Sequence, residues 1–146
     1  MKNFIQNTSL NRVLLALAVS VAAGGVASAS PAGTVTSTIS DPANGTYYSA
    51  ADLRPFQGSI AATPNGVDAL ATYSYYFVGA NMTYLIDSGT FPVYANAPGT
   101  TTESLTFEPG KYLTVGFHQA KIDCTLSAPG KTNVPGNATN YFGEYQ

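Results

Sequence analysis

The chain has 146 residues, with six Lys or Arg against eight Asp or Glu, one His, one Cys and no Trp. A net charge of −2 with so few basic residues excludes the basic patch that nucleic acids and anionic membranes need. A single cysteine excludes an internal disulfide, and with a single histidine it leaves a zinc site only carboxylates to complete it.

The chain opens on Lys2 and Arg12 in a polar stretch. An apolar run follows, from Val13-Leu14-Leu15-Ala16-Leu17-Ala18-Val19 to Val26, and then small residues, Ala27-Ser28-Ala29. That order is the order of a secretory signal peptide, so residues 1–29 are expected to be removed between Ala29 and Ser30. Leu14 to Val26 supplies only about half of the ~20 apolar residues that a spanning helix needs. No cysteine stands at the cut and no apolar tail closes the chain, so no stable membrane anchor is expected. The expected location is secreted, or periplasmic where the host has an outer membrane. Residues 30–146 then form one domain, with Arg54, Lys111, Lys121 and Lys131 against the same eight acids, a net charge of −4.

Thr34 to Ile39 reads as a first strand, and Asp41-Pro42-Ala43-Asn44-Gly45 as a turn, since Pro presets φ and Asn-Gly tolerates positive φ. Thr46-Tyr47-Tyr48 continues as a short strand, Ser49 to Leu53 as one helical turn, and Phe56 to Ala62 as a strand interrupted by Gly58. Leu70–Phe77 and Met82–Ile86, linked by Val78-Gly79-Ala80-Asn81, read as a β-hairpin with Tyr73, Tyr75 and Phe77 on one face. A second hairpin is expected from Leu105-Thr106-Phe107 through Glu108-Pro109-Gly110 to Tyr112–Phe117, with Leu113, Val115 and Phe117 opposite Tyr112, Thr114 and His118. Lys121 to Leu126 is the next strand. Its period of two puts Cys124 on the apolar face, as a buried thiol. Residues 127–146 are rich in Pro, Gly and Asn and read as loop, with a terminal strand at most over Tyr141–Tyr145.

Seven or eight short strands at this spacing predict an all-β fold, a single antiparallel β-sandwich. Three segments carry a family resemblance: Ser40-Asp41-Pro42-Ala43-Asn44-Gly45-Thr46, Tyr75-Tyr76-Phe77 and Pro109-Gly110-Lys111-Tyr112-Leu113-Thr114-Val115. The pattern over Thr34 to Leu126 resembles the immunoglobulin-like and fibronectin-type-III-like domains of exported and cell-surface proteins. The Cys-Trp-Cys core of true immunoglobulin domains is absent.

Tyr84-Leu85-Ile86-Asp87-Ser88-Gly89-Thr90 looks like the Asp-Ser/Thr-Gly segment of aspartic peptidases, whose two carboxylates share a proton. One copy would serve only in a homodimer with Asp87 as acid and base. The simpler reading ends a strand in an Asp-Ser-Gly turn. No Gly-x-Ser-x-Gly elbow and no Asp-x-Asp-x-Asp-Gly loop occurs, and Asp41, Asp52, Asp68 and Asp87 are scattered. The expectation is therefore a non-enzymatic protein without catalytic residues, metal or cofactor, acting by surface contact.

Its tyrosines offer the surface. Tyr47, Tyr48, Tyr76 and Tyr112 are the expected binding residues, for a glycan or a cell-surface protein, because exposed rings on strands stack on such partners. Tyr76 alternates against Tyr75 and Phe77, so it faces away from them. The rival expectation is a self-associating structural subunit. Thr34 to Ile39 carries no charge to guard its edge, and could be donated to a neighbouring copy. Asn44, Asn81 and Asn137 stand in glycosylation sequons.

Overall fold

The computed structural model describes residues 27–51, 55–107 and 114–146. Among them are nine strands and no helix: β1 (Gly33–Asp41), β2 (Thr46–Ser49), β3 (Phe56–Pro64), β4 (Ala69–Gly79), β5 (Met82–Val93), β6 (Thr101–Phe107), β7 (Gly116–Ser127), β8 (Val134–Pro135) and β9 (Ala138–Tyr145). They make two sheets. One has the order β1-β3-β6; the other runs β2-β9-β7-β4-β5, with β8 paired to β7. No helix of the described residues is long and apolar enough to cross a membrane.

The core follows from a period of two along the strands. On β4, Ala69, Ala71, Tyr73, Tyr75 and Phe77 are buried; on β7, His118, Ala120, Ile122, Cys124 and Leu126 are. The smaller sheet answers with Ile39, Phe56, Ile60, Ala62 and Leu105. Each large apolar side chain so buried contributes roughly 1.5–3 kcal/mol. Phe56 ties the two sheets together. Its ring meets Tyr75, Phe77 and Phe142 of the other sheet edge-on, with centroids 6.3, 6.2 and 5.7 Å away. Gly58 has a packing reason. A Cβ there would stand 2.8 Å from the Thr38 carbonyl oxygen and 2.9 Å from Cδ1 of Ile122, so the glycine lets β3 and β7 close up.

Several expectations are corrected. The larger sheet is mixed rather than antiparallel, because β2 pairs with β9 in parallel. The strands number nine among the described residues, not seven or eight. The hairpin at Ala80-Asn81 has a two-residue link, and its arms run to Ala69 and Val93, longer than the composition suggested. Of the second expected hairpin, the link at 108–110 and residues 112–113 lie outside the described residues; among those described, β6 pairs with β3 in one sheet, and Gly116–Phe117 belong to β7, which pairs with β4 and β9 in the other. Residues 127–146 are not mainly loop, since β9 lies inside the larger sheet between β2 and β7. Of the expected helical turn at 49–53, Ser49 ends β2, Ala50 and Ala51 form a turn, and the rest lies outside the described residues. Asp87-Ser88-Gly89 does not end a strand, because β5 runs through it. A bulge opposite the Tyr75/Tyr76 step puts Asp87 on the core-side face, where its Oδ2 accepts the Tyr73 hydroxyl at 3.1 Å.

The sheet edges are guarded by geometry rather than by lysines. The free edge of β1 is covered: the Ser37 hydroxyl donates to the Gly136 carbonyl, and Asn140 Nδ2 donates to the Ile39 and Pro42 carbonyls at 3.1 and 2.9 Å. β2 spans four residues. β5 carries its bulge, the rim carboxylate of Asp87, and Pro92. On β6, Glu103 stands opposite the fully buried Ile60, hence on the core-side face.

Two expected outcomes follow. The chain from Ser30 onward runs as a monomer in size-exclusion chromatography with light scattering, and deleting residues 30–39 unfolds it by circular dichroism, since β1 is paired along its length with β3 of the same chain. The second concerns Tyr75, which is fully buried with no partner for its hydroxyl among the described residues. Burial first, and the nearby Asp41 carboxylate second, push that phenol well above its ordinary value. Tyr75→Phe is expected to raise stability in urea by about 1–3 kcal/mol near neutral pH. Above about pH 10 the unfolded chain sheds a phenolic proton that the fold retains, so wild-type stability falls as pH rises, and the variant loses less.

Candidate binding face

The larger sheet turns its other side to solvent. Residues next to the core positions of β2, β7 and β9 project there by the period of two. Tyr47 precedes buried Tyr48; Phe117 precedes buried His118; Tyr141, Gly143 and Tyr145 alternate with buried Phe142 and Glu144. Register lines them up: Tyr47 is opposite Gly143, and Gly143 is opposite Phe117. The glycine makes this row work. A Cβ at Gly143 would lie 2.5 Å from Cδ1 of Tyr47, so the Tyr47 ring rests across the bare backbone. It meets Phe117 edge-on, with centroids 5.9 Å apart and planes at 73°.

These rings are unusually open. Tyr47 is 61% exposed, Phe117 74%, Tyr141 58% and Tyr145 53%, on three neighbouring strands. Single exposed aromatics need no explanation, but a contiguous group makes this face the candidate for contact with a partner. A cleft of about 90 Å³ sits among Thr46, Tyr47, Phe117, Tyr141, Phe142 and Gly143. A second depression, about 290 Å³, lies among Val78, Gly79, Ala80, Gln119 and the same two rings, Phe117 and Tyr141, with His118 behind them. Phe117 and Tyr141 are thus a shared wall. Among the described residues, no Asp, Glu, Lys or Arg lines either depression. The nearest charges along β7, Lys121 and Asp123, are paired with each other at 2.8 Å.

Turn and core hold the rings in place. Asn44 Oδ1 accepts the Tyr141 backbone N–H at 2.9 Å, and the Gly45 N–H donates to the Tyr141 carbonyl at 2.7 Å. The His118 ring packs against Phe77 at 4.8 Å and Phe142 at 5.5 Å, and its Nε2 bonds the Thr114 carbonyl. Burying His118 on β7 is what sends Phe117 outward.

Of the expected binding residues, Tyr47 lies at the centre of this face. Tyr76 lies on the same face, half-buried between Lys121 and Leu85 in register, and outside both depressions. Tyr48 does not belong to it. It is buried against Phe142 at 6.2 Å, and its hydroxyl donates to Asp41 Oδ1 and accepts the Ala43 N–H, which staples the turn before β2. Tyr112 lies outside the described residues. Sequence reasoning missed Phe117, Tyr141, Gly143 and Tyr145. The signal existed in the alternation Tyr141-x-Gly143-x-Tyr145, masked by the Pro, Gly and Asn that precede it. Cys124 is 2% exposed, as its strand position implied, and burial pushes its thiol upward in pKa. Asn44 and Asn137 have their side-chain oxygens engaged by backbone N–H groups, while Asn81 occupies the exposed hairpin link. No group of three metal-ligating side chains occurs among the described residues.

No protein-family model matches the chain, and no curated protein matches it. Among solved structures, the crystal structure of Spo0M, a sporulation control protein from Bacillus subtilis, is similar at 14% identity with a TM-score of 0.41. The likeness covers 79% of this chain and 50% of that one, so the chain spans about half its length.

Phe117→Ala and Tyr141→Ala are each expected to change stability by less than about 1 kcal/mol in urea unfolding, because these rings stand in solvent. Phe142→Ala, between them in register but facing the core, is expected to lose about 3–5 kcal/mol. An equal loss from Phe117→Ala would make that ring a core residue.

Proposed function

We propose that this chain is exported and acts without catalysis, as a binding module whose aromatic outer face contacts a glycan or protein partner. The observation that carries the reading is the group of four exposed rings, Tyr47, Phe117, Tyr141 and Tyr145, gathered around Gly143 on three adjacent strands.

The strand order supports an immunoglobulin-like sandwich. Such domains place their A, B and E strands in one sheet and C, F and G in the other, with additions beyond C. Here β1-β3-β6 corresponds to A-B-E, and β9-β7-β4-β5 to G-F-C plus one further strand. β2 continues from β1 and crosses to the second sheet beside the last strand.

Export rests on Lys2, Arg12, the apolar run and Ala27-Ser28-Ala29. The local structure is compatible with a cut after Ala29. Residues 27–30 are exposed. The Ser30 carbonyl accepts the Thr132 N–H at 3.0 Å, its hydroxyl accepts Lys131 Nζ at 2.8 Å, and the Ala32 N–H reaches the Thr132 carbonyl at 2.9 Å. A cut between Ala29 and Ser30 leaves all three bonds in place.

The reading is tested in two steps. N-terminal sequencing of protein recovered outside the cytoplasm is expected to begin at Ser30; a chain retained inside with residues 1–29 attached overturns export. The purified chain from Ser30 is expected to bind intact cells of the producing organism, at least about tenfold more weakly with Phe117→Ala and Tyr141→Ala combined. Undiminished binding by that folded variant would place the contact elsewhere.

A further inference from the structure

The chemistry of the face narrows its ligand. We infer that it takes a neutral saccharide chain, laid across the Phe117–Tyr141 wall with one sugar ring in each depression. This rests on the reading of the face as a contact surface.

Charge is the first argument. Among the described residues no carboxylate, ammonium or guanidinium lines either depression, and Lys121 is already paired with Asp123. The domain as a whole is acidic, which disfavours an anionic polymer. An uncharged ligand is the complement of an uncharged track.

Shape is the second. Each depression is small, about 90 and 290 Å³, below the roughly 300–1,000 Å³ of pockets for isolated small molecules. They share a wall and lie side by side across β2, β9, β7 and β4, a span of three strand spacings or about 14 Å. Adjacent compartments of ring size suit a polymer of rings better than one compact molecule.

The third argument is the division of labour. The first depression is walled by Tyr47, Phe117 and Tyr141, over a floor without a side chain at Gly143. It offers ring surface for the C–H face of a pyranose. The second adds the Gln119 amide and the Gly79-Ala80 backbone, donors and acceptors for a hydroxyl rim. A sugar has both an apolar face and a polar rim. A protein partner fits less well, because a stable protein interface covers about 800 Å² on each partner. Here Lys121 and Asp123 interrupt the outer face along β7 and confine the open rings to one end.

The experiment has two arms. In native gels, the chain from Ser30 is expected to be retarded by at least one of three neutral polysaccharides, a β-glucan, a galactomannan or a xylan, and not by anionic alginate. Phe117→Ala and Gln119→Ala should each weaken that retardation at least about tenfold while keeping the wild-type circular dichroism spectrum. Tyr94→Ala, exposed but on the loop after β5, should migrate like wild type. Absence of retardation in all three neutral gels, equal retardation in alginate, or an unchanged Phe117→Ala overturns the inference. In the second arm, binding to intact cells should be abolished by periodate, which cleaves vicinal diols of sugars, and survive protease treatment. Binding that survives periodate and is lost to protease overturns the saccharide while leaving the contact face standing. Absence of cell binding under every treatment removes both readings.

Discussion

The packing of Phe56 against Tyr75, Phe77 and Phe142 is the contact on which the arrangement turns. It is the place where the smaller sheet reaches across to both β4 and β9. Edge-on aromatic contacts at these separations add roughly 0.5–1.5 kcal/mol each beyond their buried area. Their consequence for the outer surface is geometric. With Phe142 committed to the core, a strand has no choice about its neighbours: Tyr141 and Gly143 must face outward. His118, wedged between Phe77 and Phe142, imposes the same on Phe117. The open rings are therefore by-products of core packing in position, though not in identity. Nothing in the core requires that those outward positions be aromatic.

Rigidity follows from the same construction. The rings stand on strands rather than on loop tips, and the turn before β2 is pinned to β9 through Asn44, Gly45 and Tyr141. Tyr48 stitches that turn to Asp41 and Ala43 from the inside. A ligand meeting such a surface loses little free energy to ordering it, the condition under which a small face can still bind usefully.

The edges qualify the self-association reading. The Thr34–Ile39 stretch of β1 has no side-chain charge to defend it. In three dimensions its free edge is occupied by Gly136 and Asn140, which arrive from the far end of the chain. The other edges use a bulge, a proline, brevity and core-side carboxylates, devices that depend on register.

What the sequence by itself determined was local. Alternating burial on β4 and β7, the pairing of β4 with β5 as a hairpin, the turn at Asp41–Gly45 and the buried Cys124 each follow from side chains within a few residues of one another. Tertiary structure decided which strands share a sheet. Leu105–Phe107 and Gly116–Phe117 have hairpin spacing, yet each finds better partners: β6 beside β3, and β7 between β4 and β9. It also decided which side of an ambiguous strand faces in. Hydrophobicity alone would bury Phe117 and expose His118, and the fold does the reverse, because the histidine keeps a hydrogen bond to Thr114 and stacks between two phenylalanines. Tyr48 went inward where Tyr47 went outward, although their chemistry is the same. The outer aromatic face is a product of register across three strands distant in sequence, and register is set by long-range pairing that no short window of residues contains.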